Sequence, residues 1–188
     1  MTLQELQNIK VNDSIPLRKL VNEFLIYINT HYPLRLDYFN LPINRTNESN
    51  NYVIYKDNIM TLYLNDFKNV KSMGSQVLQY NDPLINEYIK KLTEYFGHMP
   101  DYLLWRWTPN GLQIFGSRQA YSRHIQDVFY KYTHKKITMN DIRKIHESTI
   151  IQDSKYNMLT NEQKNNKHNT LLHSTNTAHN SYNKQLPK

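Results

Sequence analysis

Four stretches of this sequence carry side chains able to grip a phosphate or attack one. LLHSTNTAHNSYNK places His173 nine positions before Tyr182, and ITMNDIRKIHES holds Arg143 and Lys144 behind a Thr-led turn. HYPLRLDYFNL holds Arg35, and LYLNDFKNVKSMGSQVLQY holds Lys68 and Lys71. A guanidinium offers forked donors that match phosphate oxygens in a way an ammonium does not. A tyrosine hydroxyl becomes a nucleophile once a neighbour takes its proton, and histidine and lysine are the side chains that move such protons. Taken singly, each residue also has a plainer role. Tyr182 is one of 15 tyrosines, His173 sits before Ser174 where a helix cap would lie, and Arg35 lies two residues before Asp37, within reach of a local ion pair. Arg143 and Lys144 suit a solvated helix face, and Lys68 and Lys71 suit charges that blunt a hairpin edge.

Composition narrows the chemistry. There is no cysteine, which removes disulfides, zinc fingers, Fe–S clusters and thiol nucleophiles together. Only 4 glycines occur and no GxxxxGK[ST] or GxGxxG loop is present, so nucleotide-driven chemistry is not expected. The pairs His31 and His98, or His168 and His173, have no carboxylate at ligand spacing, and neither a metal nor a cofactor is expected. With 23 Lys and Arg against 16 Asp and Glu, the net charge is +7, which favours a polyanionic partner, nucleic acid ahead of an anionic membrane surface. No apolar run approaches the ~20 residues of a membrane span. The opening MTLQELQNIK lacks the apolar core of a signal peptide, so an intracellular protein with no membrane partner is expected.

The elements that must position these residues follow from periodicity. Ser14 and Pro16 mark a helix start, and Leu17, Leu20, Val21, Phe24, Leu25 and Ile28 repeat at helical spacing up to His31 before Pro33 interrupts. After the Asn-rich stretch 44–51, YVIY and IMTLYLNDF alternate, and QVLQY follows Gly74, predicting a small antiparallel sheet. From Pro83, Leu84, Ile85, Tyr88, Ile89, Leu92, Tyr95 and Phe96 form one apolar face; Glu87, Lys90, Lys91 and Glu94 mix charges opposite it, the pattern of a core helix. The apolar YLLWRW reads as extended, and further helices are predicted over 117–133, 139–152, 160–172 and 176–184. Thr138 and Thr160 are the candidate N-caps, with Thr160 and Gln163 a capping-box pair. The class is α+β and mainly helical, a small three-stranded antiparallel sheet packed with a helical bundle, in one domain over 1–184 with a short tail at 185–188.

In this order, arginine, hairpin lysine, second arginine, then histidine with tyrosine, the four stretches resemble the catalytic domain of the tyrosine recombinases, the phage-integrase family, across residues 35 to 182. The resemblance implies that fold and a reaction: site-specific DNA recombination by metal-free cleavage and rejoining through a 3′-phosphotyrosine. In it Arg35 and Arg143 hold the scissile phosphate, Lys68, at the end of the hairpin's first strand, protonates the leaving 5′ oxygen with Lys71 as the near alternative, His173 bonds the phosphate and helps to accept the tyrosine proton, and Tyr182 attacks. Lys71, Lys144, Arg118 and Arg123 would contact DNA. It also implies double-stranded DNA as partner, assembly as a homotetramer on paired sites, no cofactor, and a virus or mobile element as the natural home. Three positions depart from the family pattern. Asn140 stands where His or Lys is usual and makes an auxiliary contact a neutral amide, the interval from Arg143 to His173 is a long 30 residues, and Leu172 replaces the usual glycine before the histidine. The family's N-terminal DNA-clamping domain has no counterpart in the chain, as expected of a catalytic domain cut from a longer protein or of a naturally short member. The alternatives are a type IB topoisomerase, with the same residue set, and a DNA-binding relative that has lost the reaction.

Overall fold

Asp82 and Pro83 show how directly some of these elements form. The Asp82 carboxylate accepts from the backbone N–H of Leu84 at 2.8 Å, Pro83 takes the first turn where its missing donor costs nothing, and Gly97 closes the helix at φ 74°. The structure is a computed structural model that describes residues 1–169, Leu171 and Leu172. His173, Tyr182, the helix predicted over 176–184 and the tail 185–188 lie outside the described residues.

Among the described residues the helices are α1 (Leu3–Gln7), α2 (Pro16–His31), α3 (Val70–Met73), α4 (Pro83–Phe96), α5 (Arg118–Thr133), α6 (Met139–Gln152) and α7 (Asn161–Asn169), with a 3-10 turn at Tyr156–Met158. The strands are β1 (Tyr52–Lys56), β2 (Ile59–Leu64), β3 (Gln76–Tyr80), β4 (Arg106–Thr108) and β5 (Gly111–Gln113). β1, β2 and β3 form an antiparallel sheet in that order, and β4 and β5 form a separate hairpin. The fold class among the described residues is therefore α+β with a small three-stranded antiparallel sheet. No described helix is long and apolar enough to cross a membrane.

The chain divides into two compact units. The larger holds 11–25 and 36–124, and so the sheet, α3, α4, the β4–β5 hairpin and the beginnings of α2 and α5. In it, Asp57 and Asn58 make a two-residue turn with φ of 52° and 61°, the left-handed pair that joins two strands without splaying them. Val53, Met60, Leu62 and Leu64 are fully buried on one side of the sheet, and Phe24 stacks on Tyr88 with ring centroids 3.6 Å apart. The other unit holds 1–10, 26–35 and the chain from Ile125 onward: α1, the ends of α2 and α5, α6, the 3-10 turn and α7.

Several boundaries differ from expectation. The predicted helix 160–172 ends at Asn169, although the Thr160–Gln163 capping box forms as expected, with Gln163 N–H donating to Thr160 Oγ1 at 3.2 Å and Thr160 N–H to Gln163 Oε1 at 2.9 Å. The YLLWRW stretch is extended only in its last part, β4, where Trp107 pairs with Leu112 across a turn that alternation did not flag. The short α1 and α3 carry too few turns for periodicity to register.

Candidate functional site

The segment ITMNDIRKIHES begins α6 because Thr138 caps it reciprocally: Asp141 N–H donates to the Thr138 hydroxyl, and Thr138 N–H donates back to the Asp141 carboxylate. From that start, the 3.6-residue period turns Met139, Ile142, Arg143 and Glu147 inward, while Asn140 and Lys144 face solvent. A cation and an anion one turn apart thus share a buried stripe with two apolar side chains. Lys144 fits the solvated face expected of it, and Arg143 does not.

Arg143 is 2% exposed. Its Nη1 donates to the carbonyl of Pro33 at 2.7 Å and its Nη2 to the carbonyl of Leu171 at 2.5 Å. Burying a guanidinium is tolerable only when its donors find acceptors, and here the forked nitrogens bridge backbone 110 residues away in one direction and 28 in the other. Pro33 lies two residues before Arg35, and Leu171 two residues before His173. Three of the stretches singled out in the sequence therefore meet on one side chain. Arg35 itself is half-buried, forms no ion pair among the described residues, and has its Nε buried without a hydrogen-bond acceptor. The local pair with Asp37 is not formed.

Leu172, where the recombinase pattern has glycine, is 2% exposed and has φ 55°. That is the left-handed conformation glycine adopts freely and a leucine adopts at a cost of ~1–2 kcal/mol. The departure read in the sequence is a change of residue at a position whose backbone is of the glycine type.

Glu147 and Tyr156 escaped sequence reasoning, and His168 entered it only as half of a histidine pair. Glu147 Oε1 lies 2.5 Å from His168 Nδ1, an ion-pair contact rather than an aligned hydrogen bond, and His168 Nε2 lies 2.7 Å from the Tyr156 hydroxyl. Glu147 and His168 are fully buried and Tyr156 is 2% exposed. Burial raises the Tyr156 phenol above its usual range, and the Glu147 charge pushes it the same way. Glu147 was within reach of sequence reasoning, since it repeats Arg143 one helical turn on; its pairing with a histidine 21 positions later has no local signature. His146 sits 2.6 Å by Nε2 from the carbonyl of Thr30, and burial lowers its pKa, with the nearby cationic Arg143 acting in the same direction.

The remaining predicted residues belong to the larger unit. Lys68 was expected at the end of the first hairpin strand, but β2 stops at Leu64 and Lys68 lies in the connection that follows, with Lys71 inside α3. Just past the strand, Asn51 Oδ1 accepts from the backbone N–H groups of Asn65 and Asp66, each at 2.8 Å, which takes those donors off the ladder, and the helical turn that follows ends at Gly74 with φ 69°. Lys68, Lys71, Arg118 and Arg123 are exposed. Arg118, the first residue of α5, reaches Asp66 at 3.3 Å. Both border an open cleft of about 450 Å³ that Asn40, Arg45, Asn51 and Tyr102 also line. Among the described residues no group of three His, Asp or Glu side chains is disposed to hold a metal ion.

Compared with known proteins, the chain matches no family model, no curated sequence and no solved structure.

Proposed function

We propose that this chain cuts and rejoins DNA strands by tyrosine-recombinase chemistry. The observation that carries the reading is the pair of bonds made by Arg143, which ties the Arg35 stretch to the His173 stretch. Those three stretches were chosen on sequence alone, and their order in the chain gives no reason for them to meet. Leu172 adds support, because a left-handed backbone is what the glycine of the recombinase pattern would accommodate.

On this reading the phosphodiester is attacked once its charge is neutralised. Arg35 and Arg143 take the non-bridging oxygens, Arg143 exchanging a carbonyl acceptor for a phosphate oxygen. The Tyr182 hydroxyl passes its proton to His173 as its oxygen forms a bond to phosphorus and the 5′ oxygen leaves, Lys68 or Lys71 supplies a proton to that leaving oxygen, and His173 also bonds the phosphate. The bond energy stays in the phosphotyrosine, so rejoining needs no external energy source. Double-stranded DNA is the partner, approached by the exposed Lys71, Lys144, Arg118 and Arg123, and recombination proper would use four copies on paired sites.

A second reading, a DNA-binding relative without the reaction, is favoured by one feature: both Nη groups of Arg143 already have carbonyl acceptors, and exposed Asn140 supplies no charge to replace them. Incubation with a nicked duplex library of randomised sequence separates the two. A covalent protein–DNA adduct that is lost in Tyr182→Phe supports strand transfer. Salt-sensitive binding without an adduct supports the binder, and relaxation of supercoiled plasmid by a monomer would place the chemistry with the topoisomerases.

A further inference from the structure

α7 has a composition that does not make a stable helix by itself. Its sequence NEQKNNKHN has no apolar stripe, four of its nine residues are Asn, and the one residue it buries is His168. Helices normally hold their place by an amphipathic face, and one polar all round needs another source of docking. Here it comes from α6. Glu147 meets His168 Nδ1 at 2.5 Å, and Arg143, one turn earlier on the same stripe, bonds the carbonyl of Leu171 at 2.5 Å, just beyond the end of α7. From the other side, the Tyr156 hydroxyl lies 2.7 Å from His168 Nε2, and Lys164 of α7 stands over the Tyr156 ring with Nζ 5.2 Å from its centroid.

We propose that Glu147, His168 and Tyr156 form a buried latch that docks α7 on α6 and fixes the point from which the chain runs on to His173. Their role is positioning. Glu147 Oε1 stands against Nδ1 at 2.5 Å, and on the other side of the ring the Tyr156 hydroxyl and Nε2 share a hydrogen bond whose direction follows the tautomer. The imidazole sits at 0% exposure between a carboxylate on its Nδ1 side and a hydroxyl on its Nε2 side, so the two neighbours together restrict its orientation. An apolar residue in place of His168 would fill the space and lose the orientation. The importance of the exit point for strand transfer rests on the function proposed above; the latch itself does not.

The test is amide hydrogen exchange over 161–169, with α4 as internal reference, in the full chain and in Tyr156→Phe, His168→Leu, Glu147→Leu and Glu147→Gln. Losing one buried hydrogen bond is worth roughly 1 kcal/mol, so Tyr156→Phe should speed exchange of α7 by about fivefold and leave α4 unchanged. His168→Leu and Glu147→Leu should speed it further. Glu147→Gln, which keeps an oxygen facing Nδ1, should restore most of the protection. Unchanged α7 exchange in Tyr156→Phe and His168→Leu, or equal loss in Glu147→Gln and Glu147→Leu, overturns the latch, and Tyr156→Phe removes too little to unfold the chain. Adduct formation reads the other question independently: a wild-type chain with a protected α7 and no adduct refutes strand transfer and leaves the latch standing.

Discussion

Arg143 and Arg118 carry the same guanidinium into opposite surroundings. Arg143 is buried against two backbone carbonyls, whereas Arg118 lies in solvent 3.3 Å from a carboxylate that is itself exposed. On charge alone the second has the better partner, an anion. Yet water already solvates both members of an exposed pair, so their contact changes little, while a buried guanidinium without its acceptors leaves several donors stranded. Desolvation, more than formal charge, decides which of two basic residues the fold depends on.

The largest expected effect sharpens that contrast. Arg143→Ala should lower unfolding stability by about 3–5 kcal/mol in urea titration, since two charge-assisted bonds and the packing of a buried side chain go together. Equal losses for Arg143→Ala and Arg118→Ala would erase the distinction. Next come the two leucines after α7, each 2% exposed, of which Leu172 alone is left-handed. Glycine at either removes a buried side chain, but at Leu172 it also relieves strain, so Leu172→Gly should cost ~1–2 kcal/mol less than Leu171→Gly.

A smaller effect follows from His146. Its folded-state pKa lies below the ordinary imidazole value because burial disfavours the charged ring. The unfolded chain then takes up the proton first, so stability is complete above that value and declines as pH falls through and below it. His146→Gln keeps an amide donor for the Thr30 carbonyl and should flatten the decline, read as the unfolding midpoint across pH 7 to 5. An unaltered acid response would assign the decline to other groups. The smallest stability change belongs to the exposed cations: Arg118→Ala, Lys68→Ala and Lys71→Ala should each shift stability by no more than ~0.5 kcal/mol. If these residues contact phosphates, each loss lowers the salt dependence of DNA affinity by about one counterion.

Legibility in the sequence followed how local the physics is. Helix α4 could be read from Pro83 to Phe96, because its apolar stripe needs no distant partner and Pro83 acts within its own first turn. The start of α6 at Thr138 was equally plain. The Lys68 connection was misplaced because the strand ends at Leu64, where the Asn51 side chain takes the next two backbone donors, a long-range partner that alternation does not show. The same holds for Arg143, whose neighbours in sequence, Asn140 and Lys144, are both exposed and suggest a solvated face.

By itself, then, the sequence determined the α+β class, the starts of the longer helices, the alternating strands of the small sheet and the excess of positive charge. Each of these is settled by backbone sterics, capping and periodicity over a few residues, or by a sum over the chain. Only the tertiary structure decided that Arg143 binds carbonyls from two remote stretches, that Arg35 keeps an unsatisfied donor, and that an all-polar α7 hangs on Glu147 through His168. Those outcomes depend on which polar groups lose water together, and burial of one group beside another is a property of the folded chain that no window of sequence contains.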